Sequence, residues 1–532
     1  MNAWRYRIYG PPGCGKTTWL QTQVKQALGA GMDPTEISVL SFSRAAFREF
    51  SARLGDAVPE ENLGTLHSMA YRAIGRPPIA LSKEVVGTWN QQAPMHWHIS
   101  PRVRSRTSVV DPLDPYGEAT EGDALYDRVV LLRNRLVPLE RWPEEELLFW
   151  SEWQQFMHEQ DVVDFPGMIE RAAHTISAPT NPQLLLVDEA QDLSPLQMRL
   201  VERWSHAAQQ FAIIGDDDQA IYAFQGADGN AFLRMPVNGE IVLHQSYRIP
   251  ARVQSLAEAI SSRISFRVAK EYAPRSALGA VREIREGPES PHYALEDALE
   301  QVRQGRRVLF LAPARYMLDP LKTRLLELGL AYGNPYAPHR PEFNLFYHGE
   351  GDNIPGWQRA RGFVKKSWTG ADVKLWVEYL RLEVFAARGQ RERFETLADD
   401  EPFTPTHPLW QAFTPTAAEA LLARDVRWLR TNLLRKAPES FRRALDVAER
   451  NPQAVLRGEA AVWVGTIHSV KGGEADVVYV WPGLTRRALQ DEADVLHRMF
   501  YVSVTRARHE VVLLDSGASP GSYPWPEPEA VA

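Results

Sequence analysis

The sequence predicts an α/β fold built on parallel sheets, and three observations predict it. The first is LLLVDEAQD, Leu184 to Asp192, where an unbroken apolar run ends in two carboxylates. A run of this kind bounded by polar residues reads as a strand buried on both faces, and open α/β sheets present their chemistry at the carboxyl ends of their strands. The second is the alternating segment Arg5 to Tyr9, which runs straight into GPPGCGKTT, Gly10 to Thr18. The third is a pair of short apolar runs with polar ends. VLSFS, Val39 to Ser43, is followed by the helix-like RAAFREF, and Phe211 to Gly215 leads into GDDDQAIYAFQGA.

Composition limits what such a fold can be. The 532 residues are 44% hydrophobic and 24% charged, ordinary globular material with room for several domains of roughly 100 to 200 residues each. No stretch approaches the ~20 apolar residues of a membrane span, and MNAWRYRIYG has no apolar signal-peptide core, so a cytoplasmic location is expected. The one cysteine, Cys14, excludes an internal disulfide framework and a cysteine-cluster metal site, and reads as a small filler in its loop. The formal charge of -7 weighs against a polyanion partner only at the level of the whole chain. Nucleic acid has to be argued locally.

GPPGCGKTT fits G-x-x-x-x-G-K-[ST], a loop that cradles phosphates with backbone amides and the N-terminus of the following helix. Gly10, Gly13 and Gly15 give the turn, Lys16 reaches the β and γ phosphates, Thr17 binds Mg²⁺, and Thr18 follows in the helix. Asp188 and Glu189 then supply the two carboxylates that nucleotide hydrolysis needs, one near Mg²⁺ and one to orient and deprotonate a water. Taken alone, each feature has a bland reading, a glycine-rich turn and a solvated acidic turn. Together they predict an ATP- and Mg²⁺-dependent NTPase, a description shared by kinases, transporters and motors.

Further blocks narrow the class: GTLHSMAYR from Gly64, GDDDQAIYAFQGA from Gly215, LHQSYRIP from Leu243, VGTIHSVKGGEADVVYVWP from Val464 and HRMFYVSVTRARHEVVLL from His497. In this order along the chain they resemble the UvrD/Rep-like subgroup of superfamily 1 DNA helicases, in a compact variant. GDDDQAIYAFQGA separates this subgroup from the RecD/Dda-like one. The resemblance implies two RecA-like parallel-sheet P-loop domains with ATP between them, mainly helical inserted subdomains, and 3'-to-5' movement on single-stranded DNA with strand separation.

It also implies roles, residue by residue. Gln219 resembles the γ-phosphate sensor, with a turn-capping amide as the alternative. Arg248 and Arg506 resemble two arginines supplied by the second domain, whose permanently charged forks suit a γ-phosphate in transit; a surface salt bridge is the alternative for either. Glu474 resembles a ribose contact and Tyr247 an aromatic stacked on adenine. For DNA, Phe42, Tyr222 and Phe224 are candidate stacking residues, at ~1 to 3 kcal/mol per base, against core packing. Thr65, His67 and His468 add polar backbone contacts. The basic, aromatic stretch WQRARGFVKKSW from Trp357 is a further candidate contact or a solvated helix face.

Several positions depart from the family pattern. The usual glutamine motif before the loop has no counterpart in the residues preceding Gly10, which predicts relaxed base selectivity. Thr18 stands where an arginine often packs on the base, and Trp19 is either its substitute or a core residue. Phe224 and Gln225 replace a common tryptophan and arginine, predicting a weaker DNA grip. KGGEAD replaces the more usual GLEFD.

The remaining chain is placed by subtraction. Residues 1–72 and 164–244 form the first RecA-like domain, 73–163 a helical insertion, 245–385 and 459–515 the second domain, and 386–458 a reduced helical insertion. Residues 516–532, Pro- and Gly-rich and acidic, form a disordered tail. There is no internal tandem repeat. The expected function is an ATP-driven helicase or translocase in replication, repair or recombination, acting as a monomer on single-stranded DNA and single/double-strand junctions. The alternative is a translocase or protein-displacing remodeller without productive unwinding.

Overall fold

The structure, a computed structural model, describes residues 3–42, 57–105, 108–109, 120–338, 340–347, 355–485, 488, 493–515 and 521–526. RAAFREF lies outside the described residues. The chain divides into two compact units. The first holds Met1–Ala251, Ile260–Ala277 and Glu492–Tyr501, and the second Arg252–Ala259, Leu278–Asp491 and Val502–Ala532.

In the first unit, β1 (Trp4–Tyr9), β2 (Ile37–Ser41), β3 (Leu63–Thr65), β4 (Leu184–Asp188), β5 (Gln210–Gly215) and β6 (Gly239–Val242) form one parallel sheet in the order β3-β2-β4-β5-β1-β6. The central strands read as continuous apolar runs because both faces are covered. Leu184, Leu186, Ala212 and Ile214 pack with Leu20 and Val24 on one face, while Leu185, Val187, Phe211 and Ile213 pack with Leu200 and Trp204 on the other. Trp19 packs against the first of these cores, the core reading of that residue. Register pairs Tyr9 with Gly215 and Ser41 with Asp188, so the polar strand ends line up along one edge.

The helices Lys83–Gln92, Glu121–Asn134 and Glu144–Glu159 form a helical subdomain closed around Trp89, Phe149, Trp153 and Phe156. Its root is Asp164, fully buried. Asp164 accepts from Arg133 at 2.6 and 3.1 Å, from Trp153 Nε1 at 3.3 Å and from Gly167 N at 2.8 Å, the last capping helix Phe165–Thr175. The Arg133 guanidinium also lies 4.0 Å from the centre of the Trp150 ring.

In the second unit, β7 (Ala280–Arg285), β8 (Val308–Ala312), β9 (Tyr332–Gly333), β10 (Val462–Thr466), β11 (Ala475–Val480) and β12 (Ala507–Asp515) form a second parallel sheet, ordered β9-β10-β8-β11-β12-β7. The inserted subdomain here starts earlier than the predicted 386. Its aromatic core takes in Trp357, Phe363, Trp368 and Trp376 as well as Phe394, Trp410 and Phe441. Helix Gly370–Val377 lies in this core, and Leu380 bridges to Leu433.

Three expectations are therefore corrected. WQRARGFVKKSW is not simply a solvated face: Trp357, Phe363 and Trp368 are core, Arg359 pairs with Glu378 at 2.6 Å and Lys365 with Asp372 at 2.5 Å. The segment from 245 to 251, assigned to the second domain, belongs to the first unit. Residues 521–526, assigned to a disordered tail, are placed against the second unit. Tyr523 is 3% exposed, its N–H donates to Pro482 O at 2.8 Å, and Ser522 bridges to Gly483, because SYPWP offers aromatic anchors that composition averaging hides. Among the described residues no helix is long and apolar enough to cross a membrane.

Breaking a buried ion pair from one side strands a charge in low dielectric. Asp164→Ala is expected to cost about 3 to 5 kcal/mol in equilibrium denaturation, whereas Asp399→Ala, which removes an exposed partner of Lys374, costs at most about 1 kcal/mol.

Candidate active site

The loop after β1 is tied to β5, with Gly10 N donating to Gly215 O at 2.9 Å. Gly13 and Gly15 have φ of 73° and 77°, the left-handed region that a side chain resists. Gly15 caps helix Lys16–Gly29, which has no side-chain cap and no acidic residue in its first turn. Its first amides and dipole are left to an anion. Lys16 folds back over the loop, donating to Gly10 O at 3.0 Å with its ammonium 3.9 Å from Glu189 Oε1. Thr17 and Thr18 open the same helix, and Thr18 O accepts from Thr22 Oγ1 at 2.9 Å. Burial pushes the Cys14 thiol up to about 12, which makes it an inert filler.

Asp188 ends β4 at 6% exposure, and Glu189 follows with φ of 51°, an uncommon conformation for a non-glycine residue. Glu189 N donates to Asp188 Oδ1 at 2.9 Å, and Gln191 Nε2 donates to Glu189 Oε2 at 2.5 Å. Gln191 Oε1 accepts from Asp216 N at 3.1 Å, which joins the acidic strand end to the GDDD turn. In that turn Gln219 Nε2 donates to Asp216 Oδ2 at 2.7 Å.

The sequence reading missed the partners of this turn. Asp216, Asp217 and Asp218 are at most 1% exposed, and Lys270 lies 3.0, 2.6 and 2.9 Å from them. Arg267 grips Asp218 through two bonds of 2.8 and 2.7 Å. Burial pushes Asp216 up, but Lys270 and then Lys16 hold it below the usual carboxylate range. Three successive buried aspartates require cations, so FRVAK was the stretch to search for them.

The 245–251 segment closes over the phosphate loop. Ser246 Oγ donates to Pro12 O at 2.8 Å, and Tyr247 N donates to Gly13 O at 2.9 Å. A Cβ on Gly13 would lie 2.4 Å from Arg248 Cβ. Arg248 therefore sits with the loop rather than being brought from the second unit. Tyr247 is 70% exposed, its ring edge 3.9 Å from where a Gly15 Cβ would stand.

Phe42, Tyr222 and Phe224 form a chain of rings, with centroids 5.3 and 5.9 Å apart. Phe42 also packs against the core below β2, the core-packing reading of that residue. The Tyr222 to Gln225 turn is gripped by the first insertion, Asn134 Nδ2 donating to Gln225 O at 3.0 Å. A repeated pentapeptide, unnoticed in the sequence, ends β3 as GTLHS and β10 as GTIHS. In each the Thr hydroxyl accepts from the Ser N–H, at 3.2 and 3.3 Å, and the Ser hydroxyl returns to the Thr carbonyl, at 2.8 and 2.9 Å. The contact partners His67 and His468 follow Thr65 and Thr466 at the same position. Burial pushes His67 down to about 4, so it is neutral at ordinary pH.

Arg506 and Glu474 belong to the second unit and are held there. Arg506 is 1% exposed and donates to Val502 O at 2.9 Å, Gly473 O at 3.3 Å and Thr505 Oγ1 at 3.0 Å. The Glu474 carboxylate pairs with Arg508, and its backbone is bracketed by Tyr336 Oη.

The chain matches two family models, an AAA domain over residues 2–225 and a UvrD-like helicase C-terminal domain over residues 461–514, which together cover just over half of it. These matches make the chain similar to the UvrD/Rep-like superfamily 1 helicases. Similar members include the putative ATP-dependent DNA helicase YjcD of Bacillus subtilis, 22% identical over 48% of this chain and 36% of that protein. ATP-dependent DNA helicase UvrD2 of Mycobacterium tuberculosis is 25% identical over 48% of this chain and 41% of its own. ATP-dependent DNA helicase PcrA of Staphylococcus epidermidis is 24% identical over 56% and 44%. The matched region thus spans less than half the length of these UvrD/Rep-like relatives.

His67 bears on stability. Its folded value of about 4 lies below the ordinary 6.5, so the unfolded chain binds more protons between the two. Its stabilising contribution is complete above pH 6.5 and is lost as pH falls from there toward 4. Urea denaturation at pH 7 and pH 5 is expected to show a smaller loss for His67→Gln than for wild type.

Proposed function

We propose that this chain is an ATP-dependent DNA helicase that moves 3'-to-5' on single-stranded DNA and separates duplex. The observation that carries the reading is the shared edge of the first sheet, where Lys16, Asp188, Glu189 and Gln219 lie at strand ends beside the ring chain of Phe42, Tyr222 and Phe224. Nucleotide chemistry and a stacking surface are then built on the same turns.

The uncapped helix after Gly15 and the Lys16 ammonium fit a triphosphate. Thr17 and Asp188 suit Mg²⁺, whose contribution when bound is to neutralise charge on the phosphates. Glu189, held by Gln191, orients and deprotonates water, and Gln219 senses the γ-phosphate. Tyr247 supplies an open face for adenine, and Arg248 a cation beside the loop. Phe42, Tyr222 and Phe224 stack bases, while Thr65, His67 and His468 contact the DNA backbone.

The test is unwinding of duplexes with a 3' tail, a 5' tail or none, alongside ATPase with and without single-stranded DNA. Only the 3'-tailed duplex is expected to open, and Lys16→Ala is expected to abolish turnover. Tyr247→Ala should raise KM for ATP several-fold with little change in kcat, the signature of lost uniform binding. DNA-stimulated ATPase without unwinding would replace the helicase reading by a translocase or remodeller. Opening of the 5'-tailed substrate would overturn the polarity.

A further inference from the structure

The cation under the GDDD turn does more than balance charge. The Lys270 side chain is 1% exposed and touches three aspartates, and Arg498 Nε adds a bond to Asp217 O at 3.0 Å. Buried ion pairs of this kind contribute little net stability, because desolvation offsets the Coulomb gain. What this one does achieve is orientation. Asp216 Oδ1 meets Lys270 at 3.0 Å while Oδ2 accepts from Gln219 Nε2 at 2.7 Å. The Asp216 N–H goes to Gln191 Oε1, and Gln191 Nε2 goes to Glu189. One hydrogen-bonded chain therefore runs from Lys270 to Gln219, assigned to the γ-phosphate, and through the Asp216 N–H and Gln191 to Glu189, assigned to the water.

An ionised carboxylate only accepts hydrogen bonds, so Gln219 must turn its NH₂ toward Asp216 and its oxygen the other way. Without a cation beside it, a carboxyl this deeply buried takes up a proton and becomes a donor. The amide is then free to invert. We propose that Lys270 is a positioning residue for ATP hydrolysis, fixing the orientation of the Gln219 amide through Asp216. The inference rests on the proposed function, in which Gln219 senses the γ-phosphate.

The experiment compares wild type, Lys270→Met, Lys270→Arg, Gln219→Ala and the Lys270→Met/Gln219→Ala double variant in DNA-stimulated ATPase, with KM for ATP and Tm measured on each. Lys270→Met is expected to lower kcat about 10²-fold at nearly unchanged KM, the scale of a misplaced reacting group. Lys270→Arg should restore most of it. The double variant should be no slower than Gln219→Ala, since both changes remove one function. A Lys270→Met kcat within about twofold of wild type, or a double variant slowed by the product of the two single effects, overturns the inference. Should Lys270→Met fail to fold, Asp216→Asn, which keeps the shape but adds a donor, is expected to show the same kcat loss, and wild-type kcat there overturns it equally. A wild-type chain that hydrolyses no ATP overturns the proposed function together with the inference; active wild type with an unaffected Lys270→Met overturns the inference alone.

Discussion

The alignment of strand ends along one edge of the first sheet is the constraint on which the rest of the structure depends. Parallel register puts Tyr9 beside Gly215 and Ser41 beside Asp188, so four loops leave the sheet at one level. The phosphate loop, the acidic strand end and the GDDD turn come together with no direct sequence relation to one another. Their mutual bonds, Gly10 N to Gly215 O and Asp216 N to Gln191 Oε1, cross 205 and 25 residues of chain. A strand that slipped by one residue would exchange the side chains of its two buried faces, each packed in its own core, and move its polar end off the shared edge. The apolar packing of Leu184 to Val187 thus sets the position of Asp188 and Glu189.

Concentrating carboxylates at one edge creates a charge problem, and the fold answers it with buried cations from distant segments. Lys270 and Arg267 come from a stretch that lies beyond the Tyr247–Arg248 strap, and together with the strap they fold into the first unit. Removing water from three aspartates is tolerable only with near-complete pairing. The same logic recurs at Asp164, where Arg133 and Trp153 fix the insertion to the sheet. In both places a buried acid marks a junction between segments far apart in sequence.

This explains what the sequence made legible. Strands with continuous apolar runs, the glycine loop and the polar strand ends carry local signals, and the readings Arg5–Tyr9, Val39–Ser43 and Phe211–Gly215 fall within two residues of the observed strands. Charge pairing is not local: nothing near Asp216 names Lys270, and the bland alternative for an isolated arginine hid the place of Arg248 beside Gly13. Aromatic and basic residues interleaved from Trp357 onward have the same pattern whether they face nucleic acid or a core, and only packing with Trp376 and Phe441 decides it. The insertion boundary was misplaced for that reason. The tail was misjudged because Pro and Gly dominated its average while Tyr523 and Trp525 did the anchoring.

The repeated GT-Leu/Ile-HS pentapeptide addresses how an acidic chain could hold a polyanion. In both units the Thr hydroxyl and Ser hydroxyl close a compact turn at the carboxyl end of a strand, and the glycine is required because a Cβ would lie 2.5 or 2.7 Å from the Ser Oγ. The histidine between them is carried on a fixed backbone, and His67 is kept neutral by burial. Under the proposed function such a turn offers donors without a net charge. A grip by oriented neutral donors and stacked rings releases few counterions and can be loosened by a small displacement of its sheet. A grip built on lysines would not let go so easily. For a motor that must release its track at every step, the negative overall charge is then consistent with function rather than an argument against it.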